Sequence, residues 1–321
     1  HRVVCARTRR SGDWLMPVDV PLEEAPAPEG STQAATPGLE RQAERAKARQ
    51  GFLLGLPTIV YLLVFFVIPL GFVVAYSFAT RTRSGRTELR DFNLNAYSRL
   101  GDDIITTVAW RSLWMALVAT LLCLLLAYPL AYFISTRSPA VRNLMLVGVM
   151  IPFWSNFLIR TYAWRVLLDS DGLVTQAAQA VGLGDGRILF TSNAVILGLV
   201  YGYLPFMVLP LYAAIERIDW NLVEGARDLY ASGWSAFRRV VWPLSKPGVV
   251  AGSILVFVPS FGAYVTPAIL GGNKEGLLGS YIVLQFLSAR NGPVGSAVSV
   301  VLLGVMLMGT LVYFRSGGKN L

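Results

Sequence analysis

The sequence predicts an all-α protein, a polytopic membrane helical bundle of about six transmembrane helices. Three observations carry that expectation. Hydrophobic residues fill 54% of the 321 positions and charged residues only 15%, where a soluble domain holds roughly a quarter. The apolar residues are gathered into long runs, and the mean hydropathy is +0.54. The net charge of +9 falls largely at the ends of those runs, as expected of Arg-rich membrane flanks and not of a nucleic-acid surface.

The elements follow in chain order. The first residue is His1, so residues 1–15 are read as a tag, read-through or mis-assigned start, with Met16 as a candidate beginning. This stretch lacks the apolar core of a signal peptide. Residues 17–38, rich in Pro, Ala, Glu and Gly, read as disordered. "LERQAERAKARQ" (39–50) reads as a short basic helix at the headgroups or a solvated positive flank. The expected division is therefore a partly basic tail over 1–50 and a transmembrane domain over 51–321. Cys5 lies in the polar tail and Cys123 in an apolar run, which argues against a disulfide framework.

A hydrocarbon core of about 30 Å takes about 20 apolar residues at a rise of about 1.5 Å each. Six stretches meet that test: 53–79, 112–134, 143–168, 194–215, 248–271 and 296–314. Backbone groups cannot go unpaired in lipid, so each is expected to be helical. "SYIVLQFL" (280–287) is apolar but too short, and reads as re-entrant or interfacial. Lys and Arg near the span ends favour a cytoplasmic N-terminus: Arg137 and Arg142, the group from Arg217 to Lys246, and Arg315 with Lys319 would then lie inside. Arg187, Lys274 and Arg290 would lie outside. The 80–111 loop, with Arg81, Arg83, Arg86, Arg90, Arg99 and Arg111, runs against this assignment.

Between the fourth and fifth spans lies a charged stretch, "ERIDWNLVEGARDLYASGWSAFRRVVWPLSKP" (216–247), expected in the cytoplasm. Asn221 followed by Glu224 has capping-box spacing. Leu222, Ala226, Leu229 and Tyr230 then recur on one helical face, with Glu224, Arg227 and Asp228 opposite. Gly233 is expected to end this helix in a left-handed conformation. A second short helix is expected from Ser235, stopped by Pro243 and Pro247. Two readings stand: an amphipathic loop held on the headgroups by Arg238 and Arg239, or a docking element for another protein.

"EGARDLYASGWSAFRRVVWPL" resembles the EAA loop of binding-protein-dependent ABC importer permeases. That motif runs Glu-Ala-Ala, three residues, Gly, nine residues, then an aliphatic, any residue, Leu and Pro. Glu224, Ala226, Val240 and Pro243 fall on it, whereas Gly225, Tyr230 and Trp242 depart from it. "IPFWSNFLIRTYAWRVLL" (151–168), "YGYLPFMVLPLYAAIERID" (201–219) and "PSFGAYVTPAILGGNKEGLLGSYIVLQF" (259–286) are similar to the spermidine/putrescine-type branch. The resemblance spans roughly residues 50–315 and implies the type I importer permease fold. It also implies a pair of ATPase subunits, a second homologous permease subunit and an extracytoplasmic solute-binding protein, in a bacterial inner membrane. By the same resemblance, Glu224, Gly225, Ala226, Arg227, Asp228, Leu229, Gly233 and Pro243 form the element coupled to the ATPase.

Pro152, Pro205, Pro210, Pro259 and Pro267 lie in or near the third to fifth spans, either as ordinary kinks or as breaks lining a cavity. Trp154, Ser155 and Asn156 follow Pro152, and Ser260, Phe261 and Tyr264 follow Pro259. With Tyr203 these are the candidate solute-pathway residues, their aromatic rings suited to hold an ammonium group by cation–π attraction. Trp164 reads as an interfacial anchor. Arg160 and Arg165 either snorkel to headgroups or form a positive vestibule. No Asp or Glu lies within the spans as drawn, so the charge pattern leans toward an anionic or zwitterionic solute, such as an organophosphonate or amino-acid derivative. The resemblance instead implies a polyamine.

The sequence has no GxxxxGK[ST] loop, no HExxH and no cysteine cluster. No catalytic or metal constellation is read, and no cofactor is expected in this chain; ATP and Mg would belong to the partner ATPase. A secondary transporter is disfavoured because no intramembrane acid is present to couple protons or sodium. A membrane enzyme is disfavoured for want of catalytic groups.

Overall fold

The computed structural model of the chain describes residues 54–82, 87–89, 92–182, 187–272 and 276–317. The expectations for the 1–50 tail, and for Arg83, Arg86, Arg90, Lys274 and Lys319, lie outside the described residues. The chain opens with α1 (Leu54–Ser77), which holds a π turn at Leu63–Val67. A short antiparallel ribbon follows, β1 (Thr80–Arg81) paired with β2 (Thr87–Glu88). Then come α2 (Asp103–Ser135), α3 (Pro139–Trp154), α4 (Phe157–Leu168), α5 (Leu173–Ala180) and α6 (Ser192–Glu216). The chain ends with α7 (Trp220–Asp228), α8 (Gly233–Phe261), α9 (Leu278–Leu287) and α10 (Gly292–Gly317).

Five of these helices, α1, α2, α6, α8 and α10, are long and apolar enough to cross a membrane. The expected third span, 143–168, is not one helix. It breaks after Trp154, where Pro139–Trp154 and Phe157–Ala180 meet at 88°; counted as one broken span, the pair makes the sixth candidate. Ser155 and Asn156 take extended backbone angles at the break. Their side chains satisfy the groups that the break frees: Ser155 Oγ donates to the Pro152 carbonyl at 2.7 Å, and Asn156 Oδ1 accepts from the Leu158 amide at 2.8 Å.

Of the other prolines read as kinks or breaks, Pro267 opens a separate π turn after the fifth span has ended. Pro205 and Pro210 lie inside the unbroken α6, and Pro247 and Pro259 inside α8. The fifth span was expected over 248–271, but its helix begins at Gly233 and ends at Phe261. Pro243 does not stop the preceding short helix because the backbone widens into a π turn at Phe237–Val241 just before it. That wider turn relieves the clash a proline ring makes with the carbonyl four residues back, so the helix runs on.

Leu62–Leu321 forms one compact unit; Leu54–Tyr61, the opening turns of α1, lie outside it. Its centre is the packing of α2, α6 and α8, and small residues let these backbones approach closely. On α2, Ala116, Ala119, Cys123, Ala127 and Ala131 recur every three or four residues and are fully buried. On α8, Gly248 and Gly252 form a GxxxG pair. A Cβ at Gly248 would lie 2.7 Å from the Pro210 carbonyl oxygen, and one at Gly252 would lie 2.7 Å from Met207 Sδ. The inner cluster joins Tyr128 and Ile134 to Met207, Leu211, Ile215 and Val256. Exposed Phe65, Phe66, Leu121, Leu125 and Leu126 face outward, as lipid-facing positions do.

Between α8 and α10 the chain folds back on itself. It turns at Gly262, passes a π turn at Pro267–Gly271 and returns through α9, which is too short to cross. Gly279 comes into close approach with the carbonyls of Gly262 and Ala263, which only a residue without a Cβ allows. The Leu278 amide, at the start of α9, donates to Ser112 Oγ on α2 at 2.8 Å. The segment 280–287, read as re-entrant or interfacial, forms most of α9, a helix of 10 residues.

Candidate functional site

The charged loop is fixed to the spans by aromatic contacts. α7 starts at Trp220, and its N-cap is Asp219, whose Oδ1 accepts from the Asn221 amide at 3.0 Å. The expected cap, Asn221, is inside the helix instead: Asp219 sits one residue before the first helical position, where an acid also suits the helix dipole. Trp220 packs edge-on against Tyr132 of α2, with centroids 6.0 Å apart. Phe237 packs edge-on against both Tyr132 and Tyr128, and Tyr128 also meets Trp242. Tyr128 Oη and Ser245 Oγ lie 2.8 Å apart, which ties α2 to α8.

The expected apolar face of α7 is turned the other way. Val223 is buried and Ala226 half-buried, while Leu222, Leu229 and Tyr230 are exposed, Tyr230 completely. Once Trp220 is seated on Tyr132, helical spacing turns Val223 inward and Leu222 outward. The outward surface therefore combines Leu222, Leu229 and Tyr230 with the exposed Glu224, Gly225, Arg227 and Asp228.

Helix α7 does not end at Gly233. Leu229 closes it, and Tyr230 takes the left-handed conformation with φ 61°. The Tyr230 amide donates to the Arg227 carbonyl at 2.9 Å, and the Ala231 amide to that of Ala226 at 3.1 Å. Gly233 instead opens α8 behind the cap Ser232, whose Oγ accepts from the Ser235 amide at 3.3 Å. The expected start at Ser235 is therefore too late. Pro243 lies exposed within α8.

The candidate pathway residues do not converge on one cavity. Trp154 is exposed, and Ser155 and Asn156 are engaged as local caps of the break. Tyr203 packs near Phe206, which in turn meets Phe153 edge-on at 5.0 Å. Phe261 is buried with Leu278, Val294 and Ala297, stacked on Phe257. Ser260 is fully buried, and its Oγ has no hydrogen-bond partner. Trp164 packs edge-on against Tyr201 at 5.2 Å.

Tyr264 alone of this set lines a cavity of about 360 Å³ between α2 and the α9 hairpin. Arg111, Ser280, Tyr281, Leu284 and Ser288 also line it. Sequence reasoning missed Arg111, because α2 begins before the apolar run that defined the span, and it missed Tyr281 within the short 280–287 segment. Both residues carried a signal, a cation at a span edge and a polar ring in an apolar helix, but only the hairpin brings them together. Arg160 is engaged at the break: its Nη1 donates to the Pro152 carbonyl at 2.9 Å, beside the Phe153 ring.

Residues 124–316 match the family described as binding-protein-dependent transport system inner membrane component. The chain belongs to that family. It is similar to the spermidine/putrescine transport system permease protein PotB of Escherichia coli K12. This relative is 43% identical over 262 residues, covering 81% of this chain and 95% of the relative. PotB of Haemophilus influenzae is 42% identical over 258 residues, covering 80% and 90%. Among solved structures, a bacterial ABC transporter involved in the import of the acidic polysaccharide alginate shares the fold. Its TM-score is 0.60 at 20% identity, over 87% of this chain and 99% of that one. As a family member, the chain is a multi-pass inner-membrane permease subunit of an ABC importer, a transport component and not a catalytic one.

Proposed function

We propose that this permease moves a polyamine-type solute and is driven through α7 by a separate pair of ATPase subunits. The observation that carries the coupling role is the outward surface of α7. Three large apolar residues, Leu222, Leu229 and Tyr230, stand exposed beside Glu224, Arg227 and Asp228 on an element anchored to the spans from behind. Apolar groups left in water beyond the bilayer favour burial against another protein. ATP and Mg are held by the ATPase subunits, and residues 51–321 form the permease domain with the N-terminus in the cytoplasm. A second homologous permease completes the pathway, and an extracytoplasmic binding protein delivers the solute. Closure of the ATPases pulls α7, and the Trp220–Tyr132 and Phe237–Tyr128 contacts pass that motion to α2.

The polyamine reading follows the spermidine/putrescine relatives. A second reading, an anionic or zwitterionic solute, is favoured by the Arg111–Tyr264–Tyr281 cavity, whose described lining holds hydroxyls and a guanidinium but no carboxylate. Both readings keep the same coupling.

The test combines Glu224→Lys with Leu229→Asp, both at exposed positions that leave the core untouched. Membrane insertion is expected to persist, while uptake and co-purification of the ATPase are lost. Normal uptake by the double variant overturns the coupling role. Competition of labelled spermidine uptake by unlabelled polyamines, against organophosphonates and amino acids, decides the solute.

A further inference from the structure

We infer that the first turns of α8 form a binding site for the phosphate of an anionic phospholipid headgroup. Ser232, Trp234, Ser235, Arg238 and Arg239 line one open recess of about 470 Å³. Arg238 and Arg239 are both exposed, and no acidic side chain makes an ion pair with either among the described residues. They sit side by side on the widened π turn at Phe237–Val241. Trp234 is exposed and stacked on Phe237, with centroids 5.3 Å apart and planes 20° from parallel, so its ring is held at the edge of the recess.

The depth of the recess identifies the ligand. α8 has 29 residues, about 43 Å at about 1.5 Å each, whereas the hydrocarbon core is about 30 Å thick and takes about 20 residues. Counting back from Phe261, the last 20 residues begin near Trp242; Leu244, Val250 and Leu255 are exposed there, and Lys246, one turn inside, can snorkel to the headgroups. Arg238 and Arg239 then lie about 5 Å beyond the hydrocarbon edge, at the level of lipid phosphates. Trp242 takes a position suited to an interfacial aromatic belt. Two free guanidiniums offer paired donors to one phosphate, and the first-turn amides behind Ser232 add favourable dipole. The site needs only that α8 crosses the membrane, so it stands apart from the docking of α7.

The test measures lipid retention by the purified chain in detergent, using native mass spectrometry during titration with phosphatidylglycerol or phosphatidylcholine. The wild type should bind phosphatidylglycerol in preference, with the preference falling as salt rises. Arg238→Gln with Arg239→Gln should weaken it about 30-fold, on about 1 kcal/mol for each basic residue near an anionic surface. Arg238→Lys with Arg239→Lys should keep most of it, which separates charge from folding. Equal binding of both lipids by the wild type overturns the proposal. So does undiminished phosphatidylglycerol binding by the double glutamine variant. Displacement by millimolar inorganic phosphate would assign the recess to a free anion, and loss of ATPase co-purification without loss of lipid would assign it to a protein. Either result also overturns it.

Discussion

Arg160 reaches back across the break in the third span and donates from Nη1 to the carbonyl oxygen of Pro152 at 2.9 Å. A charged donor at the end of α3 suits both the free carbonyls there and the negative end of the helix dipole. The Phe153 ring lies beneath the guanidinium, 5.0 Å from centroid to Cζ. An arginine inside an apolar run thus caps a helix end that the bend exposes. Arg160→Leu should lower the stability of the permease by about 1.5–3 kcal/mol, the range for a charge-assisted hydrogen bond. Arg160→Lys should recover part of the loss. An unchanged thermal midpoint for Arg160→Leu in detergent would show that the break holds without this contact.

The Tyr128–Ser245 bond should respond unequally to loss of its two partners. Ser245 Oγ donates to the Trp242 carbonyl at 3.1 Å, so the Tyr128 hydroxyl is the donor between the pair. Tyr128→Phe leaves Ser245 still paired and should cost only about 0.6 kcal/mol, typical of hydrogen bonds between membrane helices. Ser245→Ala leaves a tyrosine hydroxyl unpartnered between α2 and α8 and should cost more, roughly 1–2 kcal/mol. Thermal unfolding of the two single variants compares them directly, and equal losses would refute the asymmetry.

Close packing of α8 on α6 makes Gly248 and Gly252 sensitive to small additions. Gly248→Ala would place a methyl 2.5 Å from Ala214 Cβ and 2.7 Å from the Pro210 carbonyl, neither of which can swing away. A loss of about 1–3 kcal/mol is expected from such overpacking. Gly71→Ala, with open space around its added Cβ, serves as the comparison and should be close to neutral. The amount of folded protein recovered by size-exclusion chromatography reads out both.

Tyr230 occupies a left-handed position that the family loop gives to glycine. For a residue with a Cβ this conformation costs roughly 1–2 kcal/mol. Tyr230→Gly should therefore raise the thermal midpoint of the isolated permease. If Tyr230 is part of the docking surface, the same variant should weaken ATPase co-purification. A midpoint that does not rise would mean the strain is absent or balanced by other changes.

The lever itself can be tested through its anchor. Trp220→Ala removes the contact with Tyr132, while Val223 and Ala226, still packed on the core cluster, keep the outward face of α7. ATPase binding should persist, but uptake should fall by about tenfold, since an aromatic pair contributes about 0.5–1.5 kcal/mol beyond its buried area. Full uptake by this variant would place the mechanical connection elsewhere.

What the sequence settled by itself was the chemistry of the solvent and the order of the elements. Runs of about 20 apolar residues can satisfy their backbone groups only as helices in lipid, so five spans were legible to within a few residues at one or both ends. The spacing from Glu224 to Pro243 likewise marked the family loop before any fold was known. Tertiary structure decided matters that depend on what lies beside a residue. Whether a proline breaks a helix depends on the turn before it: the π turn at Phe237–Val241 lets α8 pass Pro243, whereas the caps at Ser155 and Asn156 let the chain bend after Pro152. Leu222 and Val223 are both apolar, and the packing of Trp220, Val223 and Ala226 against the bundle sends the first outward and the second inward. Local hydropathy fixes how much of the chain leaves water; the face each residue presents is set by contacts made across the bundle.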